Sequence, residues 1–227
     1  MIVAEDVRKD YVDGETVVHA LRGVSLRIEN GEFLSIAGPS GSGKSTLLNI
    51  IGCIDTATSG FVTVDDQMIS GREPRELTAL RRRKIGFVFQ SFNLIPVLTA
   101  YENVAFSLML LGVDDKDAEP RVRGILEEVG LAGLEDRLPA QLSGGQQQRV
   151  AVARALVKEP SLVLADEPTA NLDSDTGESI LELMRDLNRR RGTTFVFSTH
   201  DKMVMEFADR LALLHDGRIV DDDRRTA

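Results

Sequence analysis

Hydrophobic and polar positions alternate along the first third of the chain. Ile2 to Tyr11, Val24 to Ile28 and Phe33 to Ala37 read as short strands, and Asp13-Gly14 and Asn30-Gly31 supply turn chemistry between them, so hairpins are expected. The period then changes. After Ala37 comes a glycine-rich turn, followed by Lys44 to Gly52, where Leu47, Leu48, Ile50 and Ile51 make an apolar run suited to a buried helix. Strand signals return at Phe61 to Val64, Ile85 to Phe89, Leu162 to Asp166, Thr194 to Ser198 and Arg210 to His215, with helical stretches between several of them. This alternation implies an α/β fold: a core with a mainly parallel sheet, joined to an N-terminal antiparallel β subdomain. Between Ser91 and Lys158 helical spacing takes over, as in Val104, Leu108, Met109 and Leu111, or Val122, Ile125, Leu126 and Val129. The expected organisation is one domain over residues 1–227, its core at 1–90 and 159–227 and an inserted α-helical subdomain at 91–158.

Composition narrows the class. With 227 residues, 42% apolar and 28% charged, wholesale disorder, collagen-like repeats and a membrane-embedded body are excluded. A formal net charge of −9 repels nucleic-acid phosphate, so no nucleic-acid partner is expected. The single cysteine, Cys53, allows no internal disulfide, fits a reducing cytoplasm and reads as a small buried thiol. No apolar run approaches the roughly 20 residues that cross a bilayer, and the opening MIVAEDVRKDYVDGE lacks the form of a secretory signal. Direct membrane insertion is therefore not expected; a membrane, if one matters, comes with another polypeptide. The run Arg81 to Lys84 and the acidic stretch Asp221 to Asp223 read as solvated surface.

The chemistry begins at Gly38-Pro39-Ser40-Gly41-Ser42-Gly43-Lys44-Ser45, continued by Thr46, which fits G-x-x-x-x-G-K-[ST] between a strand and a helix. Glycines let backbone N–H groups turn inward around an anion, and the following helix N-terminus adds partial positive charge. Lys44 can reach the β- and γ-phosphates of a nucleoside triphosphate, and Ser45 can ligate Mg²⁺. The core is thus expected to be of the P-loop NTPase kind. The strand Leu162 to Asp166 ends in two carboxylates. Asp166 is suited to hold Mg²⁺, and Glu167 to accept a proton from a water attacking the γ-phosphate.

Leu142-Ser143-Gly144-Gly145-Gln146, followed by Gln147-Gln148-Arg149 and an Ala/Val-rich helix, resembles the signature of ATP-binding-cassette ATPases and lies in that family's order, between the phosphate loop and the Asp166-Glu167 strand. Locally it also reads as a helix capped by Ser143. The resemblance covers nearly the whole chain, and its implications go further than the residues alone. It implies that Ser143, Gly144, Gly145 and Gln146 face the γ-phosphate held by a second copy. Gln90 would sense Mg²⁺ and γ-phosphate, and His200 would contact the γ-phosphate. Asp173, in Asn171-Leu172-Asp173, would reach across a dimer interface, although an N-cap at the same residue is compatible. Tyr11 would stack on adenine.

Within that family Tyr11-Val12-Asp13-Gly14, Gly31-Glu32-Phe33, Leu47 to Ile54 and Ala165-Asp166-Glu167-Pro168-Thr169 look most like the lipoprotein-releasing and macrolide-export branch; a cell-division relative shares much of the same text, and Ala170 stands where that branch often has glycine. The resemblance implies ATP and Mg²⁺, a homodimer closed around ATP, and an integral membrane permease partner, which would keep the chain cytoplasmic and peripheral at the inner face of the cell membrane. Phe92, Leu94, Ile95, Pro96, Val97 and Leu98, then Tyr101 to Leu111, are candidates to receive a short helix of that partner. The competing readings are an ABC ATPase of a cell-division or other mechanotransmission complex, a soluble P-loop kinase, and a cassette protein acting on DNA or ribosomes.

Overall fold

The computed structural model describes residues 1–14 and 16–224. They fall into two compact units, one formed by the described residues up to 81 and from 194 to 224, the other by residues 82–193.

The first unit opens on a long hairpin, β1 (Ile2–Asp13) against β2 (Thr16–Ile28), paired from Ile2 with Ile28 to Asp13 with Thr16. β4 (Ser59–Val64) and the short β5 (Gln67–Met68) complete an antiparallel sheet in the order β2-β1-β4-β5. The outer half of β2, from Thr16, was not legible as strand. Val17 and Val18 stand exposed side by side, so no burial rhythm marks that stretch.

A second set of strands carries the phosphate loop. β3 (Phe33–Ala37) runs parallel to β8 (Thr194–Thr199) on one side and β9 (Arg210–His215) on the other, and β10 (Arg218–Arg224) pairs antiparallel with β9. Every residue of β3 and of β8 is buried, as expected of parallel strands covered on both faces. Phe33, Phe195 and Phe197 form its aromatic centre, with the Phe33 and Phe197 ring centroids 4.6 Å apart. α1 (Lys44–Ile51) and α7 (Lys202–Phe207) follow β3 and β8, and α2 (Pro74–Lys84) leads to the unit boundary.

The acidic stretch Asp221 to Asp223 is exposed, but it is ordered as part of β10. Asp222 grips the nearly buried Arg210 through two hydrogen bonds of 2.7 Å, and Glu32 takes a third. In the same way Arg81, the first residue of its run, turns into the fold and donates to the Cys53 carbonyl. Cys53 is buried, and burial pushes its thiol up to about 11, as an inert packed thiol requires.

The second unit contains the parallel pair β6 (Ile85–Phe89) and β7 (Leu162–Asp166) and the helices α3 (Ala100–Met109), α4 (Asp115–Glu128), α5 (Gly144–Leu156) and α6 (Ser174–Arg191). The helices expected within residues 91–158 share this unit with β6, β7 and α6. The reason is packing: α5 lies so close on β6 that a Cβ on Gly86 would stand 2.8 Å from the Ala155 carbonyl. Strand pair and helices therefore share one core.

Candidate active site

Each expected site residue falls in one of two clusters, one in each unit. In the first unit β3 ends at Ala37 beside Thr199 of β8, so Gly38 and His200 are the next residues out from neighbouring parallel strands. From Gly38 the chain wraps back on itself. A Cβ on Gly38 would collide with the Leu214 carbonyl, and one on Gly43, whose φ is +103°, would stand 2.5 Å from the Ala20 carbonyl. These two positions exclude side chains because backbone passes directly behind them. The loop is pinned by the Gly217 N–H on the Ser42 carbonyl at 3.0 Å. α1 then starts with Gly43 as its N-cap and no side-chain cap.

Lys44, almost fully buried, curls its ammonium onto its own loop, 2.8 Å from the Gly38 carbonyl and 3.0 Å from that of Pro39. Ser42 Oγ is buried with no hydrogen-bond partner. A loop with side-chain-free turns, a curled lysine, an orphaned buried hydroxyl and an uncapped helix start matches what a polyphosphate demands. The Ser45 hydroxyl and, in the other unit, the Asp166 carboxylate are each a hard oxygen donor of the kind that Mg²⁺ accepts. Among the described residues no group of three or more His, Cys, Asp and Glu forms a metal cluster.

Tyr11 projects from β1, 41% exposed. Its hydroxyl donates to Asp55 at 2.8 Å; partial burial first, then that carboxylate, push the phenol above its ordinary value, against a weaker opposing bond with Thr46. His200 is exposed, while Asp201 caps α7 by accepting from the Met203 N–H at 2.9 Å.

In the second unit the register Phe89 with Asp166 sets Gln90 and Glu167 one step beyond the ends of two adjacent parallel strands. Glu167 has φ +47°, a left-handed backbone that a non-glycine residue rarely adopts and that recurs at functional turns. The turn after it is held by Gln148 of α5, fully buried, whose Nε2 donates to the Pro168 carbonyl at 2.6 Å. Asn171 donates to the Gln90 carbonyl at 3.0 Å, so the loop after β7 grips the loop after β6.

Ser143 is the N-cap of α5. Its Oγ accepts from the Gln146 N–H at 3.3 Å while Gln146 Oε1 accepts from the Ser143 N–H at 2.9 Å, a reciprocal capping box. Gly144 faces Leu172 in the loop before α6, and Gly145 faces the start of α6 itself: a Cβ on Gly145 would stand 2.5 Å from Thr176 Cγ2. Asp173 caps α6 through the Thr176 N–H at 3.0 Å, and that hydrogen bond holds its carboxyl below the ordinary value.

Three contributors escaped the sequence. Gln148 and Arg154 look like ordinary helix formers, yet Arg154 donates to the carbonyls of Phe92 and Asn93, sixty-odd residues earlier. Asp55, beneath Tyr11, carries no motif at all. In each case the partner is a backbone carbonyl or a lone side chain distant in sequence, and no spacing rule reaches that far.

The model of the ABC transporter family matches residues 21–170. The chain is 50% identical over 228 residues to an uncharacterized ABC transporter ATP-binding protein of Methanocaldococcus jannaschii, covering 99% of this chain and 97% of that protein. A dimeric, post-hydrolysis structure of that same cassette bound to ADP and Pi superposes with a TM-score of 0.91 over 100% of both chains, at 46% identity. The lipoprotein-releasing system ATP-binding protein LolD of Legionella pneumophila is 45% identical over 96% of each chain. The macrolide export ATP-binding/permease protein MacB of Syntrophobacter fumaroxidans is 48% identical over 96% of this chain, which spans 31% of that longer protein. Family, matched fold and phosphate loop agree: this chain belongs to the ABC transporter family as one of its ATP-hydrolysing cassettes.

Proposed function

We propose that the chain is the motor subunit of a transporter of the lipoprotein-release or macrolide-export type, working as a homodimer on a separate membrane permease. One triphosphate is bound by the Gly38–Thr46 loop of one copy and by Ser143, Gly144, Gly145 and Gln146 of the other. Tyr11 stacks on adenine. Lys44 turns from its loop carbonyls to the β- and γ-phosphates. Ser45 and Asp166 would hold Mg²⁺ and Gln90 would sense it, and a bound ion would supply neutralising charge to the phosphates. Glu167 accepts a proton from the attacking water, His200 contacts the γ-phosphate, and Asp173 reaches across the dimer interface while still capping α6. Residues 91–158 act as a helical insertion within one ATPase domain.

The observation that carries this reading is the placement of Gln90 and Glu167 one step beyond the ends of the paired strands β6 and β7, with Asn171 of the second loop bonded to the Gln90 carbonyl. Such a tie lets loss of γ-phosphate at the carboxylate register at the loop that leads to the partner surface. On that surface Val104 and Leu108 are buried in the unit's own core, whereas Val97 is 80% exposed and Met109 and Leu110 also stand out. The exposed set is the docking face for the permease. No helix among the described residues is long and apolar enough to cross a membrane, so on this reading the permease holds the chain at the inner face of the cell membrane.

The decisive experiment is Glu167→Gln. Phosphate release falls roughly 10²–10⁴-fold while ATP binding persists, and gel filtration with ATP recovers a dimer. A variant that hydrolyses at the parental rate overturns the assignment of the base.

A further inference from the structure

Two side chains of the first unit, Lys9 and Asp55, meet at Tyr11, and neither belongs to a motif. Lys9 stands two residues before Tyr11 on β1, and its ammonium lies over the phenol ring, 4.9 Å from the centroid. The same ammonium donates to Asp55 Oδ1 at 2.6 Å and to the Thr56 carbonyl at 2.8 Å. Tyr11 donates its hydroxyl proton to the other oxygen of that carboxylate at 2.8 Å. Asp55 is itself fixed, since Oδ1 accepts from the Thr56 N–H at 2.7 Å and the Asp55 N–H donates to the Asn49 carbonyl of α1 at 3.1 Å. One carboxylate thus holds an ammonium with one oxygen and a phenol with the other, and it is anchored to the helix that carries the phosphate loop.

The consequence for the ring is specific. A half-exposed tyrosine on a strand is ordinarily free to turn about its side-chain bonds. Here the hydroxyl fixes one end of the ring and the Lys9 ammonium covers one face, a favourable cation–π placement. A single face is left for another flat ring. The Lys9 and Asp55 side chains are only 12% and 28% exposed, so both are themselves held by the fold.

We infer that Lys9 and Asp55 are positioning residues for base recognition: they hold Tyr11 in the orientation that stacks on a nucleobase and present its one uncovered face. The inference rests on the reading that Tyr11 stacks on adenine. Ordering the ring in advance removes a cost that binding would otherwise meet, so the clamp acts on affinity and leaves the hydrolytic step alone. Every base has a π-face, so it acts on ATP and GTP alike.

Steady-state hydrolysis by the full chain tests this. Asp55→Ala raises KM for both ATP and GTP by about three- to tenfold with kcat nearly unchanged. Lys9→Met shifts KM in the same direction. Tyr11→Phe, which keeps the ring and removes its anchor, matches Asp55→Ala, and combining the two adds nothing further. Inhibition by inorganic tripolyphosphate, which has phosphates and no base, is unaltered in all of them. A parallel loss of tripolyphosphate inhibition overturns the inference, because the effect would then pass through the phosphate loop. So does an unchanged KM in Asp55→Ala where Tyr11→Ala raises it. If Tyr11→Ala itself leaves KM unchanged, the stacking reading fails, and the clamp with it.

Discussion

Two helices of this chain have glycine at their N-terminal end, and their first turns are completed in opposite ways. α1 follows its N-cap Gly43 with no side-chain cap, while α5 follows its N-cap Ser143, which makes a reciprocal capping box with Gln146. Every helix leaves its first N–H groups without partners inside the helix. In α5 side chains close that end, and the glycines serve a different purpose, since Gly145 admits the methyl of Thr176. In α1 the glycines let backbone pass behind the loop and leave the helix end facing outward, to be completed by an anion. Similar composition thus gives an open end that depends on a ligand and a closed end that is finished before any ligand arrives.

The largest effect expected from this contrast is in nucleotide binding. Lys44→Ala removes the one cation curled into the open loop. A hydrogen bond to a charged group contributes about 1.5–3 kcal/mol, so ATP affinity falls by roughly 10- to 100-fold for each hydrogen bond to phosphate that the substitution removes. Ser143→Ala, at the closed end, leaves ATP affinity of the separated monomer unchanged and costs about 1 kcal/mol of stability through its cap. Titration calorimetry on dilute monomer compares the two. Equal losses of affinity would show that both ends serve the same bound nucleotide within one copy.

A smaller effect tests why α5 carries glycine at its second position. Gly145→Ala drives a methyl into Thr176, an overpacking of about 1–3 kcal/mol seen as a lower urea midpoint. Thr176→Ser removes the obstructing Cγ2 and keeps the backbone N–H that Asp173 accepts from. The double variant therefore recovers most of the loss. If it does not, the glycine is needed for its backbone and not for the room it leaves.

The two ends also differ in how much of them could be read from sequence. The open loop was legible in full, because a phosphate imposes its demands on consecutive residues and Gly38 to Ser45 carry them all. Strands such as β3 and β7 were legible because burial on both faces makes them uniformly apolar. At the closed end the cap was legible from Ser143, but its support was not. Gln148 holds the turn after Glu167, Arg154 holds the loop after Gln90, and Asn171 ties Gln90 from eighty-one residues away. These bonds go to backbone carbonyls, which exist at every residue, so no residue type marks the accepting side. The clamp of Lys9 and Asp55 on Tyr11 was hidden for the same reason of distance, forty-six residues of chain.

α6 closes its first turn by a third means, a carboxylate, and the smallest effect is expected there. Asp173 is exposed and its carboxyl is held below its ordinary value by the Thr176 N–H. A depressed carboxyl binds its proton more weakly in the folded state, so its contribution is complete above the unfolded value, about 3.9, and disappears as the pH falls through the lower folded one. Asp173→Asn keeps a capping oxygen and removes only the charge at the helix N-terminus. The variant is therefore slightly less stable than the parent at pH 7. In urea titrations the gap narrows below about pH 4 and closes once both states are protonated. A gap that stays constant through that range would assign the difference to hydrogen-bond geometry, and the capping charge would have no part in it.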